Sequence, residues 1–317
     1  MNSLLTSIVV TTKNDEDRIG ACLTSILEQS YRPLEVIVVD NRSIDRTKEI
    51  ARTFTDKVYH KGPERSAQRN YGMLGPARGE YVMYVDSDMI LAPYLVESCV
   101  AFMEENDCVA LHIPEIVLGK GYCSRVRRFE RRFYEGTVID GARFFRKDTF
   151  ADVGGFDTGM SGPEDWDLDK RIKQRGRITL LPARVNIDAR KWKMGHFISD
   201  NGVRPELFGN VIFHNESHFS LRKYLVKKHY YAGSFNSYVT AWGKTDPDVR
   251  KQLGPLYRLF FVFVEDGKWK RLAMYPHLTL GMYLLRILVG ITYAVRRLST
   301  AGDHSPSLAQ ERPGYGG

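Results

Sequence analysis

The chain has 317 residues, 43% of them hydrophobic and 26% charged, which is enough for one large or two modest globular domains and excludes wholesale disorder. Its formal net charge of +8 sits at one end: from His218 onward there are 15 Lys and Arg against 6 Asp and Glu, and before it 31 against 32. A near-neutral first two thirds is not expected to bind nucleic acid, and the basic last third points to an anionic surface such as lipid headgroups.

Residues 7–12 read as a strand that begins almost at the N-terminus, with no basic and apolar leader pattern before it, so no secretory signal is expected. Lys13-Asn14-Asp15-Glu16-Asp17 then gives way to Ile19, Cys22, Leu23, Ile26 and Leu27 at helical spacing. A second apolar strand at 34–39 ends in an acidic loop, Asp40-Asn41-Arg42-Ser43-Ile44-Asp45-Arg46-Thr47. A short helix through Ala51, a strand at 57–60 and a helix over 64–73 follow. The next strand, Tyr81-Val82-Met83-Tyr84-Val85, runs without alternation, as in a strand covered on both faces, and stops at Asp86-Ser87-Asp88. Strands alternating with helices imply right-handed crossovers and a doubly wound, mostly parallel sheet. The four cysteines, Cys22, Cys99, Cys108 and Cys123, are irregularly spaced without a Cys-x-x-Cys pair and read as reduced thiols, mostly packed, in a cytosolic protein.

Ligands of open α/β sheets bind at the carboxyl ends of the strands, and two acids there suit a hard divalent cation that also carries phosphate. Asp86 or Asp88 could equally cap a helix near Pro93 or shape a turn. Neither Gly-x-Gly-x-x-Gly nor the phosphate-binding P-loop pattern occurs after a strand, so nucleotide phosphates would have to be held another way.

The ordered set Thr11-Thr12-Lys13-Asn14, Val38-Val39-Asp40-x-x-Ser43-x-Asp45-x-Thr47, Asp86-Ser87-Asp88, Gly154-Gly155-Phe156-Asp157 and Glu164-Asp165 resembles the family 2 glycosyltransferases of GT-A fold, over roughly residues 5–215. The resemblance implies a Rossmann-like, mostly parallel sheet flanked by helices in residues 1–217. It implies a donor pocket for a UDP- or GDP-linked sugar lined by Thr11, Asn14 and Asp40, with Asp86 at the ribose. Asp88 would hold a divalent cation, Mn2+ or Mg2+, His214 would complete the metal shell with His218 as a substitute, and Asp165 would be the catalytic base. The first motif departs from the commoner Pro-x-Tyr-Asn-x-Glu form, with Thr11 and Lys13 at the Pro and Tyr places. Apart from any family, sugar transfer needs a group to neutralise the departing diphosphate and a base for the acceptor hydroxyl, and single displacement inverts the anomeric carbon. Pro163, Glu164 and Asp165 also suit the first turn of a helix. Arg65 and Arg69, four apart on one face, would bind the donor phosphates or be solvated. The stretch 125–132 reads as an amphipathic helix with a solvated basic face and Phe129 and Phe133 in the core.

From Leu221 the character changes, with lysines on one helical face and Tyr and Leu on another. A second apolar run, 256–264, is broken by Arg258. A third, 278–295, is at the lower limit for a bilayer span and carries Arg286 at its centre, where a charge is expensive. Residues 218–298 are therefore expected to form a basic helical appendage lying on the cytoplasmic face of the cell membrane, peripheral or monotopic, and 299–317 a disordered tail. The expected function is metal-dependent inverting glycosyl transfer to a hydroxyl or phosphate of a glycan or polyprenyl-linked acceptor. A sugar-nucleotide nucleotidylyltransferase and a non-catalytic membrane-bound scaffold are the alternatives.

Overall fold

The computed structural model describes residues 4–183, 192–204 and 209–302. Its strands are β1 (Thr6–Thr12), β2 (Leu34–Asp40), β3 (Val58–His60), β4 (Tyr81–Asp86), β5 (Met89–Leu91), β6 (Ala110–His112), β7 (Glu115–Leu118), β8 (Ala142–Arg146), β9 (Ile178–Leu180) and β10 (Ile212–Asn215). Seven of them form one sheet in the order β3-β2-β1-β4-β8-β6-β9, and β5-β10-β7 form a second. The pairs from β3 to β4 are parallel, as is β6 with β9, while β8 runs against both its neighbours. The expected parallel-rich sheet is thus present, with one reversed strand in its middle.

The unbroken apolar runs are explained by cover on both faces. Val9, Val39, Val82 and Tyr84 pack with Met73, Phe150, Phe156 and Leu168, while Val10, Val38, Met83 and Val85 pack against helical residues Leu23, Ile26, Val96 and Cys99. Helix Arg65–Leu74 lies so close to the sheet that a Cβ on Gly72 would come within 2.3 Å of Val9 Cγ1. Strand order reverses at β1, the switch point where ligands of such sheets bind. Its register sets Thr12 beside Asp40 and Thr11 beside Asp86, so three candidate side chains share one edge. The second sheet then folds β10 onto β5, pairing His214 with Met89 directly after Asp88.

The helices after residue 218 share cores with the sheet-bearing part. Phe133 and Tyr134 pack with Phe263, Met282 and Leu285, and Trp166 stacks on Phe235 with centroids 6.1 Å apart. Helix Glu164–Lys173 is tied to the same region, since Lys170 Nζ lies 2.6 Å from Asp246 and Trp242 Nε1 donates to Asp167 over 2.8 Å. The last helix, Pro276–Gly302, continues into the expected disordered tail, and residues 303–317 lie outside the described residues. Cys22, Cys99 and Cys108 are buried free thiols, and Cys123 is exposed.

Two expectations about arginines are corrected. The basic face of helix Tyr122–Arg131 is solvated only at Arg125: Arg127 pairs with Glu216 at 3.0 Å, Arg131 with Asp140 at 2.8 Å, and Arg128 donates to the carbonyls of Val117, Gly119 and Gly202. Arg286 does not burden its apolar helix, because it turns inward and its Nη1 meets Glu130 Oε1 at 2.8 Å. Glu130 also accepts from Tyr134 Oη and Arg127, and burial, which would raise its pKa, is outweighed by Arg286 and Arg127, leaving it at about 2. Leu280, Leu284, Ile287, Leu288, Ile291 and Val295 stand exposed on the same helix.

Removing one partner from a buried ion pair costs about 3–5 kcal/mol. Glu130→Leu, which strands the Arg286 guanidinium while Arg127 keeps Glu216, is expected to lose that much in urea unfolding. Arg286→Leu is expected to lose clearly less, because Glu130 keeps Arg127 and Tyr134.

Candidate active site

At the switch point the backbone is closed by side chains. Gln68 Nε2 donates to the carbonyls of Thr12 (3.0 Å) and Val39 (2.7 Å). Asn14, in the left-handed region at φ 48°, is stitched to the loop after β2: its N–H donates to Ser43 Oγ and its Oδ1 accepts from Ile44 N–H. Thr47 Oγ1 accepts from Asp15 N–H, and Asp45 accepts from Thr47. The Ser43, Asp45 and Thr47 positions of the second motif thus hold this loop against the first. Asp40 is fully buried; one oxygen accepts from Ser43 N–H at 2.9 Å, and the other, Oδ1, has no partner. A buried bare acceptor costs about 1–3 kcal/mol, so Asp40 is suited to meet an N–H donor such as the edge of a base.

Arg69 lies at the centre. It is 1% exposed, and its guanidinium stacks on the Tyr84 ring at 4.0 Å with Phe156 at 5.1 Å. Nη2 reaches Asp86 Oδ1 at 3.1 Å and Nη1 reaches Asp165 Oδ1 at 3.2 Å. Thr11 Oγ1 donates to Asp86 Oδ1, and Tyr84 Oη to Asp165 Oδ1. Burial pushes the Asp86 pKa upward, but Arg69, Arg65 and Arg143 prevail and hold it well below the usual carboxylate range. Neither arginine of the pair is simply solvated: Arg65 bonds Glu164 at 2.8 Å, and both point at carboxylates. Phe156 is set under Arg69 by the double glycine before it. Gly155 has φ 69°, and a Cβ there would come within 2.4 Å of Asn70 Oδ1, the atom that accepts from Phe156 N–H. Gly141 likewise admits Asp165, whose Cβ would be 2.8 Å from a Cβ at 141.

A second constellation surrounds Asp88. Its Oδ2 is 3.2 Å from His214 Nε2 and 3.5 Å from Arg18, while its Oδ1 is buried without a hydrogen bond. His214 Nδ1 in turn meets Glu115 Oε1 at 3.0 Å, and Glu115 holds Arg143 at 3.2 Å. Burial alone would raise the Asp88 pKa, but His214 outweighs it and the net shift is downward. The paired His214 carries the opposite balance: burial lowers its pKa, and Asp88 and Glu115 raise it well above the ordinary value. A carboxylate with one bare oxygen beside an imidazole oriented by a second carboxylate fits a divalent cation such as Mn2+. Among the described residues no group of three His, Cys, Asp or Glu is placed to hold a metal ion together, so remaining ligands would come from water and phosphate oxygens.

Thr11, Asp86, Arg69 and Asp165 are therefore joined by hydrogen bonds, and Asp88 and His214 by another, while Asn14 and Asp40 lie along the same edge and Arg65 faces Glu164. Tyr84, Arg143, Glu115, Arg18 and Asp15 are additions that sequence reasoning missed. Tyr84 could have been found, since it lies two residues before Asp86 on the same face of β4.

Residues 7–160 match glycosyl transferase family 2. An uncharacterized glycosyltransferase of Haemophilus influenzae is 34% identical over 121 residues, 35% of this chain and 47% of the relative. Glycosyltransferase GlyG of Streptococcus pneumoniae is 31% identical over 126 residues, 38% of this chain and 40% of the relative, so each match spans less than half of the curated relative. The mannosyltransferase PcManGT of Pyrobaculum calidifontis, solved with GDP-Man and Mn2+, superposes with a TM-score of 0.59 at 17% identity, covering 94% of this chain and 88% of its own. The shared architecture is the GT-A fold.

Asp86 ionises in the unfolded chain near pH 3.9 and in the fold at a lower pH, so its charge stabilises the fold above about pH 4 and that gain is lost as the pH falls toward the folded value. Arg69→Leu removes the largest of the causes, leaving Arg65 and Arg143. At pH 7 the variant is expected to lose about 3–5 kcal/mol in urea unfolding, and the gap to the native chain should narrow below about pH 4. A gap that is constant or widens in acid would show that the pairing is not what holds Asp86 ionised.

Proposed function

We propose that this chain, a family 2 glycosyltransferase through its residues 7–160, moves a sugar from a UDP- or GDP-linked donor to an acceptor hydroxyl or phosphate with inversion at the anomeric carbon. The observation that supports this reading is that one buried guanidinium, Arg69, bridges a carboxylate at the donor edge, Asp86, and a second on the opposite element, Asp165. In this reading Thr11, Asn14 and Asp40 border the nucleoside, Asp40 through its unpartnered oxygen, and Asp86 takes the ribose side. Arg65 and Arg69 act on the donor through the carboxylates they hold. Asp88 and His214 would bind a divalent cation, Mn2+ or Mg2+, which when present neutralises charge on the departing diphosphate. The relative solved with GDP-Man and Mn2+ supports both the donor class and the ion.

Asp165 then serves as base. Tyr84 and Arg69 both donate to Oδ1, which fixes the carboxylate and leaves Oδ2 to accept the acceptor's proton.

The acceptor is reached from the cytoplasmic face of a membrane. Helix Pro276–Gly302 meets the body along its length, through Tyr122 at residues 277 and 281, Glu130 at 286 and Phe235 at 293. A helix held in this way lies in the interface plane rather than crossing it. Its exposed apolar stripe, with Phe260, Phe261, Trp269 and Met274, enters the headgroup boundary, and each such side chain gains about 1.5–3 kcal/mol when fully buried.

Asp165→Asn is expected to reduce release of nucleoside diphosphate from a donor panel by about 10²–10⁴-fold while retaining thermal stabilisation by UDP or GDP with Mn2+. Normal turnover in this variant would remove the base from the scheme. For the membrane, Ile287→Asp with Ile291→Asp should abolish co-sedimentation with phosphatidylglycerol vesicles; equal sedimentation of the variant would discard the docking face.

A further inference from the structure

Between the helix that follows Asp165 and the C-terminal helices lies an open cavity of about 1450 Å3, lined by Trp166, Phe235, Val239, Arg258, Val289 and Tyr293. It exceeds the roughly 300–1,000 Å3 of ordinary small-molecule pockets and has room for a long chain. Leu256, Leu259 and Phe261 also line it and are 72%, 40% and 49% exposed, so the cavity opens onto the apolar face. At the other end it touches Trp166, the neighbour of Asp165 in the chain.

The inner wall carries a charge without an answer. Arg258 lies in a π-helical turn, Tyr257–Phe261, a geometry that recurs at functional sites. Its Nη1 is buried with no hydrogen-bond partner, and its guanidinium faces the rings of Trp166 (5.7 Å) and Tyr134 (6.0 Å) rather than an acid. The nearby acid, Glu130, is already taken by Arg286, Arg127 and Tyr134. A buried guanidinium N–H without an acceptor is costly and calls for an anion that none of the described residues supplies.

We propose that this cavity binds the acceptor as a long-chain lipid phosphate, the phosphate held by Arg258 and the chain running past Phe235, Val239 and Val289 to the membrane face. The inference rests on the glycosyltransferase reading above for the word acceptor; the binding itself does not.

The full chain is titrated by calorimetry with farnesyl phosphate, farnesol and inorganic phosphate, each below its aggregation limit. Farnesyl phosphate is expected to bind at least tenfold more tightly than farnesol, with no heat from inorganic phosphate at the same concentrations. Arg258→Gln should lose at least tenfold for farnesyl phosphate and erase its advantage over farnesol. Gly290→Leu, at a cavity-lining position where an added Cβ meets nothing within 4 Å, should weaken both lipids without disturbing the fold. Both variants should keep their thermal stabilisation by UDP or GDP with Mn2+. Equal binding of farnesyl phosphate and farnesol, equal competition by inorganic phosphate, or unchanged binding in either variant overturns the proposal. Nucleotide stabilisation and donor cleavage remaining intact in that event would leave the glycosyltransferase reading standing, whereas their absence in the native chain would remove that reading alone.

Discussion

A guanidinium removed from water cannot stand without anions, and the arrangement of this protein around its switch point follows from where Arg69 finds them. The side chain is 1% exposed, and Asp86, Asp165 and the more distant Glu164 are its acids. Helix Arg65–Leu74 brings the cation, β4 brings one carboxylate, and helix Glu164–Lys173 brings the others from about a hundred residues away. Once these are docked, the two carboxylates cannot drift apart or come together without stranding a buried charge. Preorganisation of this kind is what an active site needs, since groups already aimed do not have to be reoriented during reaction. Tyr84 and Phe156 complete the enclosure with their ring faces, and the same low-dielectric surroundings that make the cation costly alone make its pairs strong.

Much of this was legible in the chain. The parallel core could be read from unbroken apolar runs, and the acids at strand ends from the abruptness with which those runs stop. The middle of the sheet was not, because β8 is entered and left through contacts with β4 and β6 that are distant in sequence, and its reversal leaves no local mark. The three-residue strand β5 is too short for periodicity to register, yet it places His214 against Asp88. Glu115 and Arg143 were hidden for the same reason: charged residues in short strands look solvated until a partner 99 residues away, such as His214, is seen across from them. Arg286 shows the limit most clearly. Its cost in an apolar helix was evident from sequence, but the acid that offsets it, Glu130, is 156 residues earlier.

The terminal helices show how charge and apolar surface can be separated on one element. Arg286 and Met282 face the body, while Leu284, Ile287 and Ile291 face away. By composition such a helix resembles a bilayer span. By contact it is a plank laid against the sheet-bearing body, and the difference lies in one inward arginine whose acid is already in place.

Helix Glu164–Lys173 is held at both ends of its argument with the chain: its first turn answers to Arg69, and its later turns to Asp246 and Trp242 in the region past residue 218. For anyone who would trim the hydrophobic C-terminus to obtain a more tractable fragment, this matters. A cut after the last strand would not subtract an accessory; it would release the scaffold that holds the helix carrying Asp165, and with it the seat of that carboxylate beside Arg69.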